Sequence, residues 1–195
     1  MEATQLDLVF GWAALLSAVA TVGTLITGIL FFAVNQAFGK VNDTFSVFQV
    51  VLMLPVAVAV YLVTSPDYGW LALLALAVGS IGMIVVAVLQ ALLVAGYVGF
   101  EQTIAQVLAA GAAIGLWLIA ANALALAAGA LSWGLVAFGI AAGAGYLLTA
   151  LGFYRGRQQH PLFYAGSLLM VVGYSVWAVW LGLLLLTGRL ATGVG

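Results

Sequence analysis

The chain has 195 residues, of which 67% are hydrophobic and 5% are charged, and its formal net charge is −1. A soluble domain carries roughly 25% charged residues, so this composition, with a mean hydropathy of +1.31, predicts an integral membrane protein. The chain has no run of Lys and Arg to neutralise phosphates, which excludes nucleic acid as an expected partner.

Six apolar segments are each long enough to cross the roughly 30 Å hydrocarbon core of a bilayer, which takes about 20 residues of helix. They cover residues 8–34, 45–64, 70–97, 104–128, 132–153 and 162–187. The joints between them are too short for an extramembrane domain. We therefore predict one all-α transmembrane domain over residues 1–195, which is a six-helix bundle with short loops. The lipid bilayer is its expected surrounding and partner.

The stretch before the second span, "FGKVNDTFSVFQ", gathers polar groups in an otherwise apolar chain, with Lys40 and Asp43 three residues apart. Asn42 and Asp43 are typical N-cap residues, so one interpretation is a cap for the second helix. The other interpretation adds a role as one rim of a polar site. Within the same span Pro55 removes a backbone donor, which predicts a kink.

Prolines also mark two joints. Pro66 disfavours helical geometry at Ser65, so we expect the chain to break between the second and third spans. Pro161 is well suited to the first position of the sixth helix, because the amide proton that it lacks would be unpaired there in any case.

The few cations predict an orientation. Loops one, three and five hold Lys40, Arg155 and Arg157, whereas the termini and the other loops hold only Arg189. Because cytoplasmic loops carry an excess of Lys and Arg, this distribution favours both termini outside. We call the end of the bundle that carries the first three cations the cationic end.

Three glutamines lie inside predicted spans near the cationic end: Gln49, Gln90 and Gln106. An amide facing lipid would be left unpaired at a cost on the order of several kcal/mol, so we expect all three to face the bundle interior. One interpretation is hydrogen bonding that only holds helices together. The other is a polar vestibule for a small polar ligand or a lipid headgroup. The candidate residues at its mouth are Asp43, Glu101, Arg155, Arg157 and His160.

Small residues at helical spacing predict close helix packing. Gly111 and Gly115 form one GxxxG pair, and Gly139 and Gly143 form another. Such pairs let two helix backbones approach closely in lipid, either within the chain or against another subunit. The first span carries a comparable small face at Ser17, Thr21, Thr24 and Gly28.

The chain lacks the residues that several chemistries need. It has no cysteine, and its single histidine, His160, cannot supply a bis-histidine haem site or a zinc cluster. No charge falls mid-membrane, where proton pumps and voltage sensors place theirs. No metal or cofactor is predicted, and the sequence does not address a pigment, quinone or lipid held by apolar contacts. A membrane enzyme would need Asp43, Glu101, Arg155 and His160 to converge in one cavity.

Three stretches carry a family resemblance. They are "SWGLVAFGIAAGAGYLLTALGFYRG", "HPLFYAGSLLMVVGYSVWAVWLGLLLL" and, earlier, "GKVNDTFSVFQVVLMLPVAVAVYLV". The chain resembles uncharacterised bacterial multi-pass membrane proteins that are known only as a domain of unknown function, and the third stretch is similar to their second helix. The resemblance implies a prokaryotic inner-membrane protein, and it implies no activity and no site residue.

Two functions follow as expectations. Minimal loops and small-residue faces favour a non-enzymatic protein that acts through helix packing, as an accessory or structural subunit of a larger membrane complex. Its partners would be other membrane subunits or a second copy of the chain. The alternative is a small-molecule or lipid-binding membrane protein, a transporter or sensor, that uses the polar vestibule.

Overall fold

The computed structural model describes residues 4–35 and 37–190, and every regular element within these ranges is helical. The long helices in chain order are α1 (Gln5–Ala33), α2 (Phe38–Ala95), α3 (Phe100–Ala127), α4 (Trp133–Gly156) and α5 (Pro161–Leu186). A 3₁₀ turn (Arg157–Gln159) precedes α5. All five long helices are apolar and long enough to cross a membrane. The predicted all-α membrane bundle is confirmed, but the predicted count of six helices is wrong for the described ranges.

The count differs because the predicted spans 45–64 and 70–97 lie in one 58-residue helix, α2. Helical geometry continues through Pro66 and is left only at Tyr68, with φ −127° and ψ 29°. A straight helix would separate residues 50 and 86 by about 54 Å at about 1.5 Å per residue. These residues instead line the same cavity, so the helix turns back at Tyr68. We call residues 38–67 the first arm and residues 69–95 the second arm; they lie antiparallel.

The helix ends follow the predictions in part. Pro161 is the first residue of α5, as predicted. The predicted cap at Asn42 and Asp43 is wrong, because α2 begins at Phe38 and both residues lie inside the helix. The Asn42 Oδ1 atom instead accepts a hydrogen bond from the hydroxyl of Thr27 in α1, at 3.3 Å. Its side chain is thereby used between helices rather than at a helix end.

The helices form a closed ring. Each packs on its neighbour in the chain, and α5 packs back on α1; no other pair of the described helices packs backbone to backbone. Large apolar side chains such as Val19, Ile81 and Leu168 are exposed on the surface. This arrangement leaves an apolar outside for lipid and a centre that only side chains can fill.

Glycines bring α4 and α5 into backbone contact. Gly145 in α4 lies against the backbone of Met170 and Gly166 in α5, where a Cβ would lie 2.8 Å from the Gly166 carbonyl oxygen. Seven residues further along α5, a Cβ on Gly173 would lie 2.8 Å from the Ala142 nitrogen. Side chains are therefore excluded along this interface.

The two predicted GxxxG pairs meet each other between α3 and α4. A Cβ on Gly115 would lie 2.7 Å from the Gly143 carbonyl oxygen, and a Cβ on Gly143 would lie 2.6 Å from the Gly115 carbonyl oxygen. Gly139 lies against the side chain of Asn122, and Gly111 lies against the Tyr146 ring. Of the two interpretations of these motifs, packing within the chain is the one observed.

Aromatic and amide side chains fill the half of the ring away from the cationic end. Trp177 Nε1 donates to Asn122 Oδ1 at 2.9 Å, and the Ser17 and Tyr174 hydroxyls are 2.7 Å apart. Trp117 packs edge-on against Trp177, with ring centroids 6.2 Å apart. All five side chains are buried. They tie α1, α3 and α5 together across the ring.

We predict that Gly145→Ala destabilises the bundle by about 1–3 kcal/mol, because the new methyl group meets backbone that cannot rotate away. The measurement is the midpoint of denaturant unfolding in detergent. Gly69→Ala is the matched control, since a Cβ there has no neighbour within 4 Å. Equal midpoints for the two variants would contradict the backbone contact between α4 and α5.

We also predict that the Asn122 and Trp177 side chains are energetically coupled. Hydrogen bonds between membrane helices contribute about 0.6 kcal/mol on average, and a buried donor left unpaired adds to the loss. Asn122→Ala should therefore destabilise the native chain more than it destabilises the Trp177→Phe variant. Unfolding of the two single variants and the double variant measures this difference, and strictly additive effects would exclude the hydrogen bond.

Candidate functional site

A cavity of 140 Å³ lies in the centre of the ring, and we call it the inner chamber. All five long helices contribute to it, including both arms of α2. Its lining residues are Thr24, Ser46, Gln49, Val50, Val86, Gln90, Val107, Leu108, Gly111, Ile114, Tyr146, Thr149 and Met170. None of these side chains carries a formal charge. The inner chamber is therefore polar in places and electrically neutral.

Most polar groups of the inner chamber have partners within the protein. Gln49 is 5% exposed, and its Nε2 donates to the Tyr146 hydroxyl at 3.3 Å. The hydroxyls of Ser46 and Thr149 donate to backbone carbonyls one turn earlier in their own helices, at 3.0 and 2.8 Å. As predicted, Gln49 faces the bundle interior and bonds across helices.

Gln90 is the exception. Its Oε1 atom is buried and has no hydrogen-bond partner among the described residues. A buried acceptor without a donor costs about 1–3 kcal/mol, so the site favours any molecule that brings an N–H or O–H to this oxygen. Gln90 also lines a second cavity, nearer the cationic end.

This second cavity has a volume of 330 Å³, and we call it the outer chamber. Its lining residues are Gly28, Phe31, Gly39, Lys40, Asn42, Asp43, Gln90, Leu93, Phe100, Ile104, Gln158 and Phe163. They come from the ends of helices that meet at loops one, three and five. The three predicted loops of the cationic end therefore converge around one opening.

The outer chamber combines opposite charges with an apolar wall. Lys40 and Asp43 lie one turn apart on the first arm; Lys40 is exposed and Asp43 is half-buried. The opposite wall is apolar, with the side chains of Leu93, Phe100 and Phe163. Such a lining suits an amphipathic molecule, whose polar head can lie near both charges.

A third cavity, of 250 Å³, lies beside the outer chamber, and we call it the side chamber. It is lined by Phe100, Glu101, Ile104, Phe153, Gly156, Arg157, Gln158 and Gln159. Three of these residues, Phe100, Ile104 and Gln158, also line the outer chamber. The inner, outer and side chambers thus adjoin, and together we call them the vestibule.

An ion pair lines the side chamber. Arg157 Nη2 donates to Glu101 Oε2 at 2.7 Å, and the two side chains are 68% and 72% exposed. Exposed pairs contribute only about 0–1 kcal/mol, so this pair adds little to the stability of the fold. Arg157 has φ 56°, and its guanidinium lies 5.7 Å from the Phe153 ring centroid. Its backbone is held in a conformation that few non-glycine residues adopt.

The predicted candidates separate into groups. Asp43 and Gln90 line the outer chamber, whereas Glu101 and Arg157 line the side chamber. Arg155 is exposed and lines none of the three chambers.

His160 has a local structural contact instead. Its Nδ1 accepts a hydrogen bond from the Leu162 amide at 3.2 Å, so it caps α5. It lines none of the chambers. Asp43, Glu101, Arg155 and His160 therefore do not converge in one cavity, and the described residues contain no cluster of three or more His, Asp or Glu side chains that could hold a metal ion.

The prediction that Gln106 faces the interior is wrong. Gln106 is exposed on α3, while its neighbour Val107 lines the inner chamber. Successive residues of a helix point in directions about 100° apart, since a turn holds about 3.6 residues. Gln106 also lies within two turns of the start of α3, where a long amide can reach the polar interface.

The inner chamber ends at a layer of bulky side chains. One helical turn further from the cationic end, four large residues are completely or almost completely buried: Met53, Met83, Trp117 and Tyr174. Each lies one helical turn from a residue that lines the inner chamber, on the two arms of α2, on α3 and on α5. This layer makes the vestibule a blind pocket that opens toward the cationic end.

Sequence reasoning missed Tyr146 as a site residue. It contributes the hydroxyl that accepts from Gln49. The available signal was its position three residues after Gly143, on the face that packs against α3. A tyrosine on a glycine-lined face has its polar tip inside the bundle, where it needs a partner.

Comparisons with known proteins were made at three levels. No protein-family model matches the chain. No curated protein and no solved structure matches it either.

Proposed function

We propose that this chain is a small-molecule-binding integral membrane protein that takes an amphipathic ligand into the vestibule from the cationic end. The observation that carries the proposal is that a 330 Å³ outer chamber and a 140 Å³ inner chamber lie next to each other and share one lining side chain, Gln90. The outer chamber offers two opposite charges beside an apolar wall. The inner chamber offers an unpaired acceptor, Gln90 Oε1, on the side that adjoins the outer chamber.

The blind end of the vestibule favours a binding protein, such as a sensor or a carrier, over an open channel. Met53, Met83, Trp117 and Tyr174 are buried in the hydrophobic core on the side of the inner chamber away from the cationic end. An enzyme is disfavoured because Asp43, Glu101, Arg155 and His160 do not line one cavity. General acid–base catalysis needs such groups within hydrogen-bonding reach of one substrate.

The proposed topology has six membrane passes. Each arm of α2 exceeds the length of about 20 residues that a crossing requires, and the arms are antiparallel. The position of Lys40, Arg155 and Arg157 at one end supports both termini outside. The resemblance to bacterial multi-pass proteins supports a prokaryotic plasma membrane.

An accessory subunit of a membrane complex is the second candidate. A surface groove of 410 Å³ between the second arm and α3 contains small residues, Ala75, Ala120 and Ala123, where a helix of another subunit could approach closely. The proposal is weaker than the first, because the glycine faces that motivated it pack within the chain.

We predict that residues 67 and 97 are accessible from opposite sides of the membrane. The chain has no native cysteine, so single substitutions can be labelled with a membrane-impermeant thiol reagent. Asp67→Cys should be labelled from the side that carries the termini, and Tyr97→Cys from the other. Gln159→Cys is the control for the cationic end. Labelling of Asp67→Cys and Tyr97→Cys from the same side would exclude separate crossings by the two arms.

We predict that the native protein carries a reproducible small-molecule or lipid mass and that filling the outer chamber removes it. Native mass spectrometry of the protein in gentle detergent measures the bound fraction. Ile104→Trp places a bulky ring where the outer and side chambers meet, and it should reduce the bound fraction at least about tenfold by steric exclusion.

The matched control is Ile81→Trp, because Ile81 lies on the exposed apolar surface. Its bound fraction should equal that of the native chain. Equal loss in both variants would place the molecule outside the vestibule. A stoichiometric protein partner with no small-molecule mass would favour the complex subunit instead.

A further inference from the structure

The inner chamber differs from the outer chamber in its electrostatics. Lys40 and Asp43 line the outer chamber, whereas the polar groups of the inner chamber are all neutral. These neutral groups are Thr24, Ser46, Gln49, Gln90, Tyr146 and Thr149. Selection between charged and neutral ligand groups therefore takes place in the inner chamber.

The inner chamber includes an acceptor and a donor that are able to bond a guest. The Gln90 Oε1 atom is a buried acceptor with no donor among the described residues. The Tyr146 hydroxyl accepts from Gln49 at 3.3 Å, and no described residue accepts its own proton. The free acceptor is therefore Gln90 Oε1, and the free donor is the Tyr146 hydroxyl.

A charged guest would find no counter-charge in this chamber. The rest of its wall is apolar, including Val50, Val86 and Ile114. Moving an ion out of water into such surroundings is far less favourable than moving a neutral polar group that can form hydrogen bonds. The 140 Å³ volume corresponds to about four or five water molecules at ~30 Å³ each.

We propose that the inner chamber binds the uncharged, hydrogen-bonding end of a ligand, a primary amide or an alcohol, and rejects its ionised counterpart. Gln90 Oε1 accepts from the N–H or O–H of this group, and the Tyr146 hydroxyl donates to its oxygen. The inference rests on the proposed function, because such a ligand enters through the outer chamber.

The test compares acetamide with acetate, which have the same size and shape and differ in charge. Saturation-transfer NMR on the purified chain in lipid nanodiscs measures the binding of each probe. We expect transfer to the acetamide methyl group and much weaker transfer to acetate. Gln90→Met keeps the side-chain length and removes the acceptor, so acetamide affinity should fall about fivefold or more.

Two further variants make the result specific. Tyr146→Phe removes the hydroxyl, which is both the donor to the guest and the acceptor of the Gln49 hydrogen bond, and it should weaken acetamide binding to a similar extent. This variant provides the test if Gln90→Met fails to fold. Gln106→Met changes an exposed glutamine of α3 that lines none of the three chambers, and it should bind like the native chain.

Several results would overturn the inference. They are equal binding of acetate and acetamide, or native affinity in both Gln90→Met and Tyr146→Phe. Absence of acetamide binding would show that the inner chamber holds water alone. In that case, the native chain can still carry a bound mass that the Ile104→Trp variant loses. The proposed function of the vestibule then stands, and only the assignment of the inner chamber fails.

Discussion

Backbone contact between helices sets the dimensions of this bundle. Lipid chains are as apolar as the helix surfaces, so no hydrophobic force draws helices together, and close packing has to supply the attraction. Gly115 meets Gly143 between α3 and α4, and Gly145 meets Gly166 between α4 and α5. These contacts fix three consecutive helices at minimum spacing. The remaining helices close the ring around them. The width of the centre of the ring is therefore set by these glycine contacts.

Side-chain volume then decides where this centre is full and where it is empty. Away from the cationic end, Trp117, Tyr174 and Trp177 reach across the ring and fill it. Toward the cationic end the facing residues are small or slender, as with Gly111 and Thr149, and a cavity remains. The vestibule therefore arises from the distribution of large and small residues along helices that are continuous at both levels.

The sequence predicted the features that depend on depth alone. An amide is costly to bury in lipid whatever its neighbours, so Gln49 could be assigned to the interior from hydropathy. The direction in which a residue points around its helix is not contained in hydropathy, and Gln106 shows the error that results. The order of helices in the ring is likewise a matter of packing. Arg157 and Glu101, 56 residues apart, could be placed at the same end but not in contact.

The number of helices depended on whether the chain stays helical or breaks near Pro66, which sequence patterns describe poorly. Proline disfavours helix in the residue before it, yet α2 continues through Pro66 and bends two residues later. The turn at Tyr68 directly follows Asp67, and no run of loop residues separates the arms. Predicting one helix or two from such a joint requires knowledge of what the arms pack against.

The turn at Tyr68 also constrains how the chain enters a bilayer. A longer loop would allow two segments to insert one after the other, with the first resting alone among lipids. Here a single non-helical residue joins the arms, and Gln49 on the first arm shares its chamber with Gln90 on the second. On the six-pass topology, the arms partition as one hairpin. The transfer free energy that governs insertion is then that of the pair of arms.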